Sequence, residues 1–364
     1  MKIDRSQRLR DIGWRPTMRP VITTPQNPTK RRFWDFATLG VALLAVLLAA
    51  NPGKAQAPPV TGIFVVDNHR IIKIDDMTGA GWVELRTMEG PAETEGTRIS
   101  GIFIDNAGRI YFAGKRNHRI VRMNDMTGAG QIAFGAEAPL NCQSIGTVLG
   151  PCTIITGVGL LRFPGSVFVD AAGRIYVTDA TSRIVRIDDM TGAGWTTFDI
   201  GGGDTWPPRA GGGAIVVDTS GRIYVADSFG NRIVGINDMT GAGWVSFGSA
   251  GDGVGQFDSP VAISVDGRGR IYLAEFNNNR ITRVDDMTGA GWTTLGSKGS
   301  GVNQFDAPAG IFVDAAGRIY VSDSGNGRIV RMDDMNGAGW TSFGTRGIES
   351  GRFNHPSGIF VRLP

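Results

Sequence analysis

Histidine is the side chain best suited to moving protons or binding zinc near neutral pH, and this chain has only three, His69, His118 and His355. Three imidazoles can hold a catalytic metal and leave a position open for water or substrate. Two cysteines, Cys142 and Cys152, sit in one insertion. In an exported chain such a pair is most simply a disulfide closing a short loop, and no histidine stands nearby in sequence to make a metal pair. An acid and an arginine recur together as Asp67/Arg70, Asp179/Arg183, Asp227/Arg232, Glu275/Arg280 and Asp323/Arg328. A repeated opposite-charge pair across a hairpin is expected to be structural. At the second occurrence Gly114 replaces the acid, so Arg119 lacks its usual partner there and is a candidate to meet a ligand. No GxSxG, HExxH, P-loop or dinucleotide fingerprint stands in a supporting context. In a chain with 54 glycines, GxG combinations mean turns.

The elements that must position these residues are written as a repeat. The phrase "DDMTGAGW" stands at Asp75, Asp188 and Asp285, with variants at Asn124, Asn237 and Asp333. Its tryptophan recurs as Trp82, Trp195, Trp244, Trp292 and Trp340, and is replaced by Gln131 in the second unit. A second phrase, "GRIY", has its arginine at positions 109, 174, 222, 270 and 318. The last three steps are 48 residues and the first is 65, so one unit carries an insertion. A period of this length with four strand-like segments predicts propeller blades. In the last unit "GIFVD", "RIYVSD", "RIVRMD" and "WTSFG" alternate β-branched and aromatic residues between Gly/Asn/Asp turns, which predicts four antiparallel strands. "DDMTGAGW" is then the hairpin between the third and fourth strands: Asp bonds the turn's own amides, and the glycines accept its dihedrals.

The two ends of the repeat complement each other. Ile63 to Asp67 align with the second strand of a blade, so the first unit lacks an inner strand, while "GIFVRLP" from Gly358 to Pro364 matches an inner strand and stops. Pairing the two closes a ring and removes its open edges. The expected fold is an all-β six-bladed propeller whose first blade is completed by the C-terminal strand.

These residues resemble the NHL-repeat family of β-propellers, above all "GIFVDAAGRIYVSDSGNGRIV" from Gly310 to Val330 and linkers such as "GQFDSP" (Gly255 to Pro260) and "GRFNHP" (Gly351 to Pro356). The resemblance covers nearly everything from residue 62 onward and implies the fold. The family spans RNA-binding domains, extracellular sensor domains of receptor kinases and a zinc-dependent lyase that cleaves peptidyl hydroxyglycine, so the resemblance does not select an activity.

Antiparallel strands turn alternately at the two faces of the ring. The bottom face, with its "DAAG" and "DMTGAG" turns, is nearly the same in every blade. The top carries the inter-blade linkers and the hairpins between second and third strands. In one sector it also carries the acidic connector Arg86 to Arg98, the cysteine insertion Ala136 to Phe163, and "GGGDTWPPR" (Gly201 to Arg209) with Trp206. Variable loops on a rigid scaffold are where recognition residues sit. The expected ligand-binding residues are therefore His69, His118, Arg119, Trp206 and His355. The alignment opposes a metal: His69 and His118 take the place of Ser182, Asn231, Asn279 and Gly327, a turn position directed away from the central channel.

Charge and targeting come from the N-terminus. Residues 1–35 carry nine Lys/Arg against Asp4, Asp11 and Asp35, a local +6; set against the total of +3, the remainder is about −3. Nucleic-acid binding by the body is therefore not expected. Residues 36–50 form an uncharged apolar segment after "KRR", followed by a Pro/Ala linker at 51–61 with "AQA" at Ala55 to Ala57. This is the layout of a secretory signal or a retained anchor, and both put the propeller at 62–364 outside the cytoplasmic membrane. The reading is a monomeric, cofactor-free scaffold that binds a protein, peptide or glycan, touching the membrane only through its N-terminal segment. The alternative is a metal-dependent lyase or hydrolase with its site at the channel mouth.

Overall fold

β-Branched and aromatic residues favour extended backbone, and the Gly/Asn/Asp clusters between them supply the tight reversals. The last repeat forms strands Pro308–Val313, Ile319–Asp323, Arg328–Met332 and Thr341–Phe343, hydrogen-bonded in that order. The computed structural model describes residues 61–87, 99–137, 140–145, 148–154, 157–201 and 213–362, and contains six such four-stranded sheets. The fold is the expected all-β six-bladed propeller. The N-terminal arm, the apolar segment 36–50, most of the linker and Trp206 lie outside the described residues.

Blade 1 closes as the sequence predicts. Its sheet runs Val83–Arg86, Arg70–Ile74, Gly62–Asp67 and then Pro356–Arg362 from the other end of the chain. Ile63 pairs with Val361 and Phe64 with Phe360 in antiparallel register. The ring therefore has no open seam, and every outer sheet edge is a short fourth strand.

The core is divided among the blade interfaces. Ile71, Leu85, Ile110 and Val121 bury the junction of blades 1 and 2. Tyr320 and Ile329 do the same with Ile72 and Ile359 between blades 6 and 1. Each fully buried Ile or Phe contributes about 1.5–3 kcal/mol relative to exposure, so stability resides in contacts between repeats.

The "DDMTGAGW" turns serve those interfaces. In the first, Asp76 accepts hydrogen bonds from the Thr78 amide (2.8 Å) and hydroxyl (2.5 Å), and the Asp75 amide donates to the Ala80 carbonyl at 2.8 Å. Gly79 has φ +80°, and a Cβ there would collide with the Phe343 ring of the preceding blade. The turn's tryptophan stacks on a linker phenylalanine: Trp82 on Phe353 (5.5 Å), Trp292 on Phe257 (5.2 Å) and Trp340 on Phe305 (5.3 Å). The turn glycine seats in the same way at Gly192, Gly241 and Gly289, against Phe134, Phe198 and Phe247 of the preceding blades, so the phrase recurs where blades meet.

Candidate functional site

The acid and arginine pairs form inter-blade clasps. Arg70 donates to Asp67 (2.8 Å), to Glu84 (2.7 Å) and to the carbonyls of Ile348 and Arg352 in the preceding linker. Asp67 in turn accepts the amides of Asn354 and His355. Arg183 holds Asp179 and the Leu160 carbonyl, while Arg328 holds Asp323 and the Ser300 and Gln304 carbonyls. The Asp67, Asp179, Glu275 and Asp323 side chains have no solvent exposure. Buried carboxylates satisfied by a guanidinium and by linker amides are structural, as the repetition implies.

The three histidines are not gathered at one point, and among the described residues no three His, Cys, Asp or Glu come together as a metal site would require. His69 is exposed on the blade 1 hairpin. His355 lies half-buried in the linker entering blade 1, with its Nε2 3.2 Å from Arg346.

His118 departs from the expected solvated turn residue: it is 7% exposed. Its Nδ1 accepts the Phe163 amide at 3.1 Å, and its ring packs on that of Phe163 at 4.6 Å. Asn231 and Asn279 accept the amides of Ser259 and Ala307 in the same manner, at 2.8 and 2.9 Å. His118 is thus a structural acceptor at the junction of blades 2 and 3, with its proton on Nε2. Burial pushes its pKa down, and Arg162 and Arg119 add to the effect, while Glu137 and Asp179 pull it back up. Arg119, expected to be left over by Gly114, is engaged: its Nε donates to the Asn117 carbonyl at 3.2 Å.

The cysteine insertion extends the linker between blades 2 and 3 as an antiparallel pair, Leu140–Ile145 with Val148–Ile154, in which Cys142 and Cys152 stand directly opposite.

The top face opens instead at the channel axis. A cavity of about 490 Å³ is lined by groups from all six blades, including Asn68, Lys115, Gly165, Ser228, Phe276 and Ser324. Apart from Gly165 these occupy one column of the repeat, the residue following the second-strand acid or its replacement, Gly114. That column reads Asn68, Lys115, Ala180, Ser228, Phe276 and Ser324, whereas the acids and arginines beside it are nearly constant. Its variability was the signal in the sequence, and it pointed to the rim of the channel. Phe229 and Phe276, on the hairpins of blades 4 and 5, both line the opening and are each 39% exposed. Among the described residues, His355 is the one predicted site residue that lines this mouth. The arrangement can bind through hydrogen bonds and aromatic contact.

A family model for the NHL repeat matches residues 305–332. The chain carries an NHL repeat within its six-bladed propeller. Among solved structures, this propeller is similar to a chain of a nidogen/laminin complex, with TM-score 0.58 and 16% identity over 84% of this chain and 99% of that one. It is also similar to a protein of unknown function from Bacteroides caccae, with TM-score 0.54 and 16% identity over 82% and 98% of the two chains. A streptogramin B lyase structure aligns with TM-score 0.52 and 14% identity over 84% and 92%. At such identities these likenesses bear on the fold. No curated protein matches the chain.

Proposed function

We propose that this NHL-repeat propeller is a non-enzymatic binding scaffold, exported or anchored at the membrane, that docks a protein, peptide or glycan on its top face. The observation that carries this reading is where the repeat breaks. The bottom turns repeat the same Asp-capped geometry in blade after blade, while the rim column around the mouth changes from blade to blade. Variation confined to one end of an otherwise repetitive scaffold marks a recognition surface.

The tether fits this orientation. Gly62 pairs with Arg362, and Arg362 bonds the Asp105 and Asn106 carbonyls of a bottom turn. A retained anchor at 36–50 would therefore reach the propeller from the bottom and leave the mouth facing away from the bilayer. The cysteines, opposed in register, would lock the hairpin on that face as a disulfide, since directly opposed strand residues lie within bridging distance.

The experiment is photo-crosslinking of the full chain in its producing cells, with the reactive residue at Val254 or Phe276 on top and at Ala172 or Ala315 below. Adducts from the top positions alone are expected; equal labelling from both faces would sink the reading. The lyase or hydrolase alternative predicts stoichiometric metal in the same purified protein, lost on His69→Ala/His118→Ala substitution, which elemental analysis checks.

A further inference from the structure

The channel behind the mouth is lined along its lower part by aromatic rings. Phe312, Phe360, Phe103 and Phe168 hold one register position in the inner strands of blades 6, 1, 2 and 3, opposite Tyr320, Phe64, Tyr111 and Tyr176. Their ring centroids follow one another at 4.9, 5.1 and 4.7 Å, all tilted or edge-on. This is the geometry that aromatic quadrupoles favour. Blades 4 and 5 put Val216 and Ser264 at that level, opposite Tyr224 and Tyr272. The Ser264 hydroxyl is already used, accepting the Val313 amide at 3.1 Å.

These rings share the wall of a void of about 280 Å³ with small residues such as Gly101, Gly165, Ala214, Ala262, Ala309 and Gly358. Among the described residues, no charged side chain lines it. It is continuous with the mouth, since Ser100, Gly165, Val261 and Ala309 line both. The result is a void that opens at the mouth and carries the phenylalanine arc along its lower wall. Each inner strand is also the edge of its sheet, so the wall presents backbone N–H and C=O groups together with the apolar side chains. A charge pushed down to the phenylalanines would lose its hydration without an ionic partner, at high cost. The part of a ligand that reaches the phenylalanine arc must therefore be uncharged. At the rim, the ionisable side chains among the described residues are Lys115 and His355. Both are nitrogen bases, so the charged end of a ligand held there is anionic.

We propose that the channel is a cup for a small amphipathic anion: a planar or branched apolar end rests on the phenylalanine arc, and a carboxylate or similar acidic head remains at the Lys115 and His355 rim. This deepens the reading of the top face as the binding face. It concerns a small molecule in the axis, distinct from a partner lying over the loops.

The test is isothermal titration of the full chain with 2-naphthoate, its neutral amide and the matching 2-naphthylmethylammonium. Saturable one-to-one binding of the naphthoate is expected, at least about tenfold tighter than the ammonium, the scale of one charge-assisted hydrogen bond. Ala309→Phe and Val261→Phe fill the shared neck and should abolish binding, while Ala315→Phe on a bottom turn should not. Thermal melts identify a filled variant that has failed to fold, and the other then decides. Three results would overturn the proposal: no saturable binding, an ammonium that binds as tightly as the naphthoate, or naphthoate binding unchanged in both folded cup variants. Top-face adducts without probe binding would remove the cup and leave the scaffold. Probe binding with adducts from both faces alike would do the reverse.

Discussion

Replacing His118 tests whether this buried histidine is a structural acceptor. Its Nδ1 is the acceptor for the half-buried Phe163 amide, and its ring packs on Phe163. His118→Ala removes both. An orphaned buried amide costs about 1–3 kcal/mol and the lost ring contact about 0.5–1.5 kcal/mol, so a destabilisation of about 2–4 kcal/mol is expected. His118→Asn should be nearly neutral. Asn231 and Asn279 already perform this role in blades 4 and 5, and the backbone at His118, φ +54°, is a conformation asparagine tolerates well. Burial holds the His118 pKa below its ordinary value, so the unfolded chain takes up a proton near pH 6.5 while the folded one stays neutral to lower pH. Stability from this group is complete above that value and falls as pH drops toward the folded pKa, by at most about 1.4 kcal/mol per pH unit. Urea denaturation at about pH 7.5 and about pH 5.5 reads both effects: the parent should lose more stability on acidification than His118→Asn. An alanine variant as stable as the parent, or an asparagine variant as damaged as the alanine one, would refute the assignment.

The remaining predictions concern the ring itself. Gly241→Ala, whose Cβ would strike the Phe198 ring at φ +83°, should cost about 1–3 kcal/mol more than Gly221→Ala, whose Cβ at φ +90° meets nothing within 4 Å; chemical denaturation of the two variants gives the difference. Asp179→Ala strands the buried Arg183 guanidinium, 7% exposed at its side chain, and should lose about 3–5 kcal/mol in the same assay. Deleting residues 356–364 removes the inner strand of blade 1 and uncovers the edge at Gly62–Asp67, so light scattering should report larger particles than for the parent chain. Alkylation under denaturing, non-reducing conditions should leave Cys142 and Cys152 unlabelled, and labelling only after reduction would establish the bridge.

The repeat made blade number, strand order and ring closure legible, because each depends on patterns within about 48 residues or on the match between two termini. The clasps were legible as well, since an acid and arginine that recur at one hairpin serve that hairpin. The site was read less well. His118 looked like an exposed turn residue because its partner, the Phe163 amide, is 45 positions away across an insertion. Arg119 looked free because the sequence shows the missing acid at Gly114 but not the carbonyl that Arg119 uses. Lys115 and Phe276 went unremarked as single variable positions until the ring set them around one opening. Local hydrogen bonding and alternation fix a strand and its turn, and those the amino-acid sequence states by itself. Which side chains share the axis depends on the closing of six sheets into a circle. Only that closure brings Phe103, Phe168, Phe312 and Phe360 together, from inner strands far apart along the chain, as one arc of packed rings.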